Sequence, residues 1–174
     1  ERQEVLDVLD HGVFMRYGFD AARQGHWKVR EFEQALVERT GARHAHACSS
    51  GTAALSTALA ACGVGAGDEV ILPPFTFVAD PEVVLLAGAV PVYADIDRTL
   101  CLDAGAVEAA ITPRTKAVLL VHMCGAMGHL DRIVEVCHRH HIMLIEDVAQ
   151  ALGAQWQGRS LGTLGQAGCV SFDY

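Results

Sequence analysis

Six short, largely apolar runs recur along the chain at intervals of roughly 20–27 residues, about what a strand plus a crossover helix requires. They occupy residues 44–48, 69–72, 90–94, 117–122, 142–146 and 169–172. The intervening segments read as helices. Residues 52–62 are rich in Ala and Leu, 80–87 open with Asp-Pro, and 103–111 and 130–140 are amphipathic. This alternation predicts an α/β fold: a mostly parallel sheet with helices on both faces, in three layers. Residues 1–40 read as a helical lead-in with a Gly-containing loop.

Composition narrows the function classes. Hydrophobic residues make up 51% and charged residues 20% of 174, which fits a packed domain and excludes a disordered chain. The net charge of −8 has the wrong sign for coating nucleic acid or anionic lipid, so neither partner is expected. The longest apolar stretch, residues 83–92, is broken by Gly88 and Pro91 and is far short of the ~20 residues that span a bilayer. The six cysteines form no CxxC pair, and no secretory signal opens the chain, so the expected setting is the reducing cytoplasm. The chain begins inside a helical pattern without Met and stops at the end of a strand-like run. A segment of something longer is the expectation.

In open α/β sheets, ligands bind beyond the carboxyl ends of the strands. Ser49-Ser50-Gly51-Thr52 lies at such an end and opens a helix. Small residues, free N–H groups and a positive dipole end make a phosphate cradle there; a plain Ser or Thr helix cap explains the same string. Glu146-Asp147 ends the most apolar run, so its carboxylates need a cation or several donors. Phe75-Thr76-Phe77 offers an aromatic that either stacks on a flat ring or packs in the core. Cys137-His138-Arg139-His140-His141 has no zinc-ligand spacing and reads as a basic helix C-terminus, so no metal is expected. The Walker, GxGxxG and GxSxG patterns are missing.

Five strings in order carry a resemblance. They are Ser-Ser-Gly-Thr-Ala-Ala-Leu (49–55), Gly-Asp-Glu-Val-Ile-Leu-Pro-Pro-Phe-Thr-Phe-Val-Ala (67–79), Ile-Thr-Pro-Arg-Thr-Lys-Ala (111–117), Glu-Asp-Val-Ala-Gln (146–150) and Gly-Cys-Val-Ser-Phe (168–172). Together they resemble the DegT/DnrJ/EryC1/StrS aminotransferases, pyridoxal-phosphate enzymes that aminate keto sugars for amino sugar and polysaccharide biosynthesis. The resemblance implies a type I aminotransferase large domain, here residues 41–174, with a C-terminal small domain absent from this chain. It also implies a cytoplasmic homodimer with active sites at the subunit interface.

Residue by residue, it implies that Ser50, Gly51 and Thr52 hold the cofactor phosphate, with Ser171 as a further ligand. Phe77 and Ala149 would face the two sides of the pyridine ring. Asp147, the catalytic carboxylate, would pair with the ring nitrogen, and Gln150 would bond near the phenolic oxygen. His122 would meet the substrate. The family's Schiff-base lysine falls five residues after the Ser171 equivalent, two past Tyr174; the lysines present are Lys28 and Lys116. Cys124 stands where many relatives have an aromatic, and Asp80-Pro81 where small residues are common. The implied reaction moves an amino group, from glutamate or a similar donor, to a nucleotide-activated or 3-deoxy-octulosonate-type keto sugar. The alternatives are a sugar dehydratase of the same family, with His in the lysine position, and a non-catalytic regulatory homologue.

Overall fold

Four apolar runs pair as parallel strands at the expected places: β1 (Glu69–Leu72), β2 (Val90–Tyr93), β3 (Thr115–Val121) and β4 (Met143–Asp147). The computed structural model describes residues 1–173; Tyr174, the last residue of the expected 41–174 domain, lies outside them. The chain forms two compact units, Glu1–Ala47 and Cys48–Tyr174.

The first unit holds α1 (Arg2–His11), α2 (Asp20–Arg23) and α3 (Lys28–Thr40). Ionic contacts tie it together. Arg16 grips the buried Glu33 with both terminal nitrogens, at 2.5 and 3.0 Å, and Glu33 also accepts from the Ala47 N–H at 2.7 Å. The buried Arg23 donates to the carbonyls of Gly18 and Met15 and lies over the Trp27 ring, where Arg30 also stacks. Lys28 is engaged by Glu4 and by Asp7 at 3.5 Å.

In the second unit, α4 (Gly51–Ala61), α5 (Ala79–Leu86), α6 (Ala104–Ala110) and α7 (Leu130–Arg139) alternate with the strands. Each helix has a local cause. Ser50 caps α4, its Oγ accepting from the Ala53 N–H at 3.1 Å, and Asp103 caps α6 through the Ala106 N–H at 2.8 Å. Pro81 falls in the first turn of α5, where no intrahelical N–H is required. In α7 the buried Leu130, Ile133, Val136 and Cys137 share one face at helical spacing.

A fifth strand, β7 (Ala167–Cys169), pairs in parallel with β4, giving the order β2-β1-β3-β4-β7. Side chains alternate across the pleat and supply two cores. On one face, Leu119, Val121, Val70 and Leu72 pack with Leu55 and Leu59 of α4 and Val83 and Val84 of α5. On the other, Val118, Leu120 and Ile71 pack with Val107 of α6 and the buried face of α7. The three-layer α/β architecture follows. The order runs outward from β1 to β2 on one side and from β3 to β4 on the other. A topological switch point therefore opens between the carboxyl ends of β1 and β3.

Two local expectations need correction. Residues 44–48 run without strand pairing. Their alternation of His with Ala supplies no large or β-branched side chain to anchor a sheet face. Conversely, β5 (Gln155–Trp156) and β6 (Arg159–Ser160) form an unexpected hairpin. Its two-residue turn, Gln157-Gly158, has φ of 49° and 78°, the left-handed geometry that matches strand twist.

Candidate active site

All five strands of the sheet are parallel, so their carboxyl ends, and the residues that follow them, share one edge. The expected site residues gather along it. Beyond β7, Ser171 touches the start of α4: a Cβ built on Gly51 would stand 3.2 Å from Ser171 Cβ and 3.4 Å from its Oγ. The first N–H groups of α4, at Gly51 and Thr52, have no intrahelical acceptor by helix geometry and point toward this end with the positive dipole. Thr52 is exposed. The Ser50 Oγ accepts in the cap, so the string is a capped helix start, and that bond uses neither the Ser50 hydroxyl hydrogen nor the Gly51 and Thr52 N–H groups.

Asp147 ends β4 almost fully buried and accepts from the Ala149 N–H at 2.9 Å. Burial raises its carboxyl above the usual range, against that N–H, a hydrogen bond with Asp80 and the nearby His122. A cation placed there would meet a carboxylate with little competing water. Its neighbour Glu146 points to the opposite face and is fully enclosed. Glu146 Oε1 accepts from the N–H groups of Leu164 at 2.7 Å and Gly165 at 2.9 Å; Oε2 accepts from Gly162 at 3.0 Å and lies 3.3 Å from His122 Nε2. Burial alone would push its carboxyl up, but His122 and the three N–H groups outweigh it, and it is held below the ordinary value. Glu146 therefore fastens the loop leading into β7.

His122, expected to meet the substrate, lies inside the protein at 1% exposure. Its Nε2 faces Glu146 and its Nδ1 is buried without a partner, so neither ring nitrogen is open to a substrate in this arrangement. The backbone hydrogen bond from the His122 N–H to the Asp147 carbonyl carries the β3–β4 pairing to this point.

Gln150 joins two loops. Its Oε1 accepts from the Cys124 N–H at 2.6 Å, within the 3₁₀ turn Met123–Gly125 that follows β3. Cys124 is exposed and left-handed, with φ of 54°. Because an N–H requires an acceptor, this contact sets the amide orientation and leaves Gln150 Nε2 as a donor. Phe77, 59% exposed after β1, presents its ring to solvent rather than to the core, and Ala149 is half-buried after β4. Lys116 lies at the opposite, amino end of β3, beside Gly63.

Sequence reasoning passed over two participants. Asp80, read as a helix start, is fully buried and adjoins Asp147. Glu69, at the start of β1, takes hydrogen bonds from Thr112 and Arg114, which gives the Thr-Pro-Arg string an anchoring role at the far edge. Among the described residues no cluster of three or more His, Cys, Asp or Glu is arranged to hold a metal ion. Nor is any helix long and apolar enough to cross a membrane.

The geometry agrees with comparisons to known proteins. The chain is 50% identical over 161 residues to an L-glutamine:2-deoxy-scyllo-inosose aminotransferase of Streptomyces kanamyceticus, a match that covers 86% of this chain and 38% of that protein. It is 48% identical over 145 residues to a GDP-perosamine synthase of Caulobacter vibrioides, covering 83% of this chain and 39% of that protein. The crystal structure of 3-amino-5-hydroxybenzoic acid synthase superposes with a TM-score of 0.89 at 39% identity, over 99% of this chain and 43% of that one. The chain thus spans about two fifths of the length of the relatives it matches. The model of one family covers residues 1–173, and this chain belongs to it: the DegT/DnrJ/EryC1/StrS aminotransferase family.

Proposed function

We infer that the protein carrying this chain is a pyridoxal-phosphate-dependent aminotransferase that moves an amino group from an amino-acid donor, such as glutamate, to a cyclic keto sugar. The observation that carries the reading is the alignment, on one sheet edge, of the Gly51–Ser171 contact at a helix start with the buried Asp147 carboxyl. A phosphate suits the first, and a protonated ring nitrogen suits the second. The residues fit the group: a side chain at position 51 would crowd the cradle, and Asp147 is enclosed with one N–H and, among the described residues, no cationic side chain bonded to it.

In this reading the N–H groups of Gly51 and Thr52, with the Ser50 and Ser171 hydroxyls beside them, bind the phosphate. Phe77 and Ala149 flank the ring. Asp147 holds a proton at the ring nitrogen, and Gln150 Nε2 donates to the phenolic oxygen. Bound pyridoxal phosphate supplies an electron sink for the substrate carbon that exchanges its amino group. His122 backs Asp147 and Glu146 from inside. The names of the relatives, an inosose aminotransferase and a nucleotide-sugar synthase, favour a cyclic polyhydroxylated ketone. A cytoplasmic homodimer with the site at its interface completes the proposal.

The test is the intact mass of the gene product carrying this chain, with pyridoxal phosphate and with or without borohydride. Cofactor mass fixed to one lysine, with amine transfer from glutamate to a keto sugar, is the expected result. Bound but never fixed cofactor would favour the dehydratase, and no binding at all would sink the reading.

A further inference from the structure

Asp80 is fully buried in the first turn of α5. Its Oδ2 accepts from the Thr76 hydroxyl, while its Oδ1 is enclosed and meets no N–H or O–H donor. The group beside it is the Asp147 carboxyl, close enough for a side-chain hydrogen bond. Two carboxyls in contact inside a protein cannot both stay ionised without a cation beside them, because neither has solvent to screen the repulsion. A proton held between the two carboxyls would give the Asp80–Asp147 pair a hydrogen bond inside the protein.

His122 reaches Asp147 electrostatically from β3. Cys169 of β7 is held neutral, its thiol pushed up to about 12 by burial first and then by Asp147 and Asp80. Cys62, at the end of α4, is likewise raised by burial. Among the described residues no lysine or arginine is paired with either carboxyl.

We propose that Asp80 and Asp147 act as one proton-sharing carboxyl pair, in which Asp80 is the neutral acid and a cationic ring nitrogen arriving at Asp147 displaces the shared proton. This deepens the cofactor reading above and rests on it. The balance is simple. Before binding, the pair holds one proton and one negative charge. If the ring arrives unprotonated, the proton passes from the pair to its nitrogen; if it arrives protonated, the proton leaves to solvent. No electrons move. Burial, and then Asp147, raise the Asp80 carboxyl to about 7, which puts the exchange within the neutral range. Asp80 is thus a positioning residue: it acts through Asp147 and sets how strongly Asp147 holds the ring nitrogen protonated.

The experiment is calorimetric titration of the gene product with pyridoxal phosphate at neutral pH, in two buffers of different ionisation enthalpy, for wild type and Asp80→Asn. The cofactor's own titration cancels in the comparison. Wild type is expected to take up about one proton fewer per cofactor bound than the variant. Equal proton counts would overturn the pair while leaving the cofactor site intact. Absence of binding by wild type would instead strike the function reading. The pair is then decided without cofactor: as pH rises from about 5 to 7, the folding constant of wild type should fall about tenfold per unit relative to Asp80→Asn. A constant ratio would refute the shared proton. If Asp80→Asn does not fold, infrared spectra of wild type decide it: a protonated-carboxyl band that disappears as pH passes about 7 supports the pair, and its absence at about pH 6 overturns it.

Discussion

Gly51 and Ser171 approach so closely that a methyl group on residue 51 would stand 3.2 Å from Ser171 Cβ. That contact joins the start of α4 to the segment after β7, at the proposed anion cradle. Gly51→Ala sets two effects against each other. Replacing a helical glycine gains about 0.5–1 kcal/mol, while crowding Ser171 costs about 1–3 kcal/mol. Stability should therefore fall by no more than about 2.5 kcal/mol, and the added methyl narrows the approach to the N–H groups. Equilibrium dialysis should give pyridoxal phosphate a Kd at least about tenfold weaker, or ~1.4 kcal/mol, with circular dichroism still native.

In the proposed site, Asp147→Ala removes the carboxylate that would pair with the ring nitrogen. Carboxylate–cation pairs shift a pKa by about 1–3 units, so turnover should fall by about 10- to 1,000-fold while circular dichroism stays native. Steady-state kinetics with near wild-type kcat would refute the role.

Glu146→Ala leaves His122 and three loop N–H groups without their shared acceptor inside the protein. Breaking such a buried set should cost about 3–5 kcal/mol in a urea melt. The sign of the pH dependence follows from the lowered carboxyl: the stabilisation is present above its unfolded value of 4.5 and is lost as pH falls through the lower folded value. Wild type should therefore lose its advantage over Glu146→Ala only in acid. An advantage that vanished between neutral and alkaline pH would contradict this account.

Gln150→Glu separates the two ends of the amide. It keeps an acceptor for the Cys124 N–H but removes the donor Nε2. The left-handed turn at Cys124 should persist, with Tm little changed, while kcat/KM falls by about 10²–10³, the usual result of losing one aimed donor. Gln150→Ala should lower both.

Much of the fold was legible in residue order. Val, Ile and Leu runs bounded by glycines and prolines marked β1 to β4 to within a few residues, because strand and helix periodicities are local properties. The 44–48 segment misled for a stated reason: alternation without bulk does not hold a sheet face. The β5–β6 hairpin was passed over although Gln157-Gly158 has the composition of a two-residue turn. At the site, Ser50, Gly51 and Ser171 could be named from their strings, yet nothing in those strings says that Gly51 meets Ser171. Asp80 was read as a helix start, since Asp-Pro is such a signal; its proximity to Asp147 depends on α5 lying over β1 and on the register of β1, β3 and β4. His122 looked like a residue at a ligand-facing strand end, and packing turned it inward to Glu146.

Residue order thus settled the alternation of strand and helix, the parallel sheet and the edge on which a ligand would sit. Each of these is set by the spacing of apolar side chains and by the few hydroxyl, glycine and carboxylate residues after each strand. Three-dimensional packing alone settled which carboxyl is fed by loop N–H groups and which lies buried beside a second carboxyl. Those outcomes turn on angstrom-scale distances between segments far apart in the chain, and on the loss of water around them, neither of which local pattern encodes.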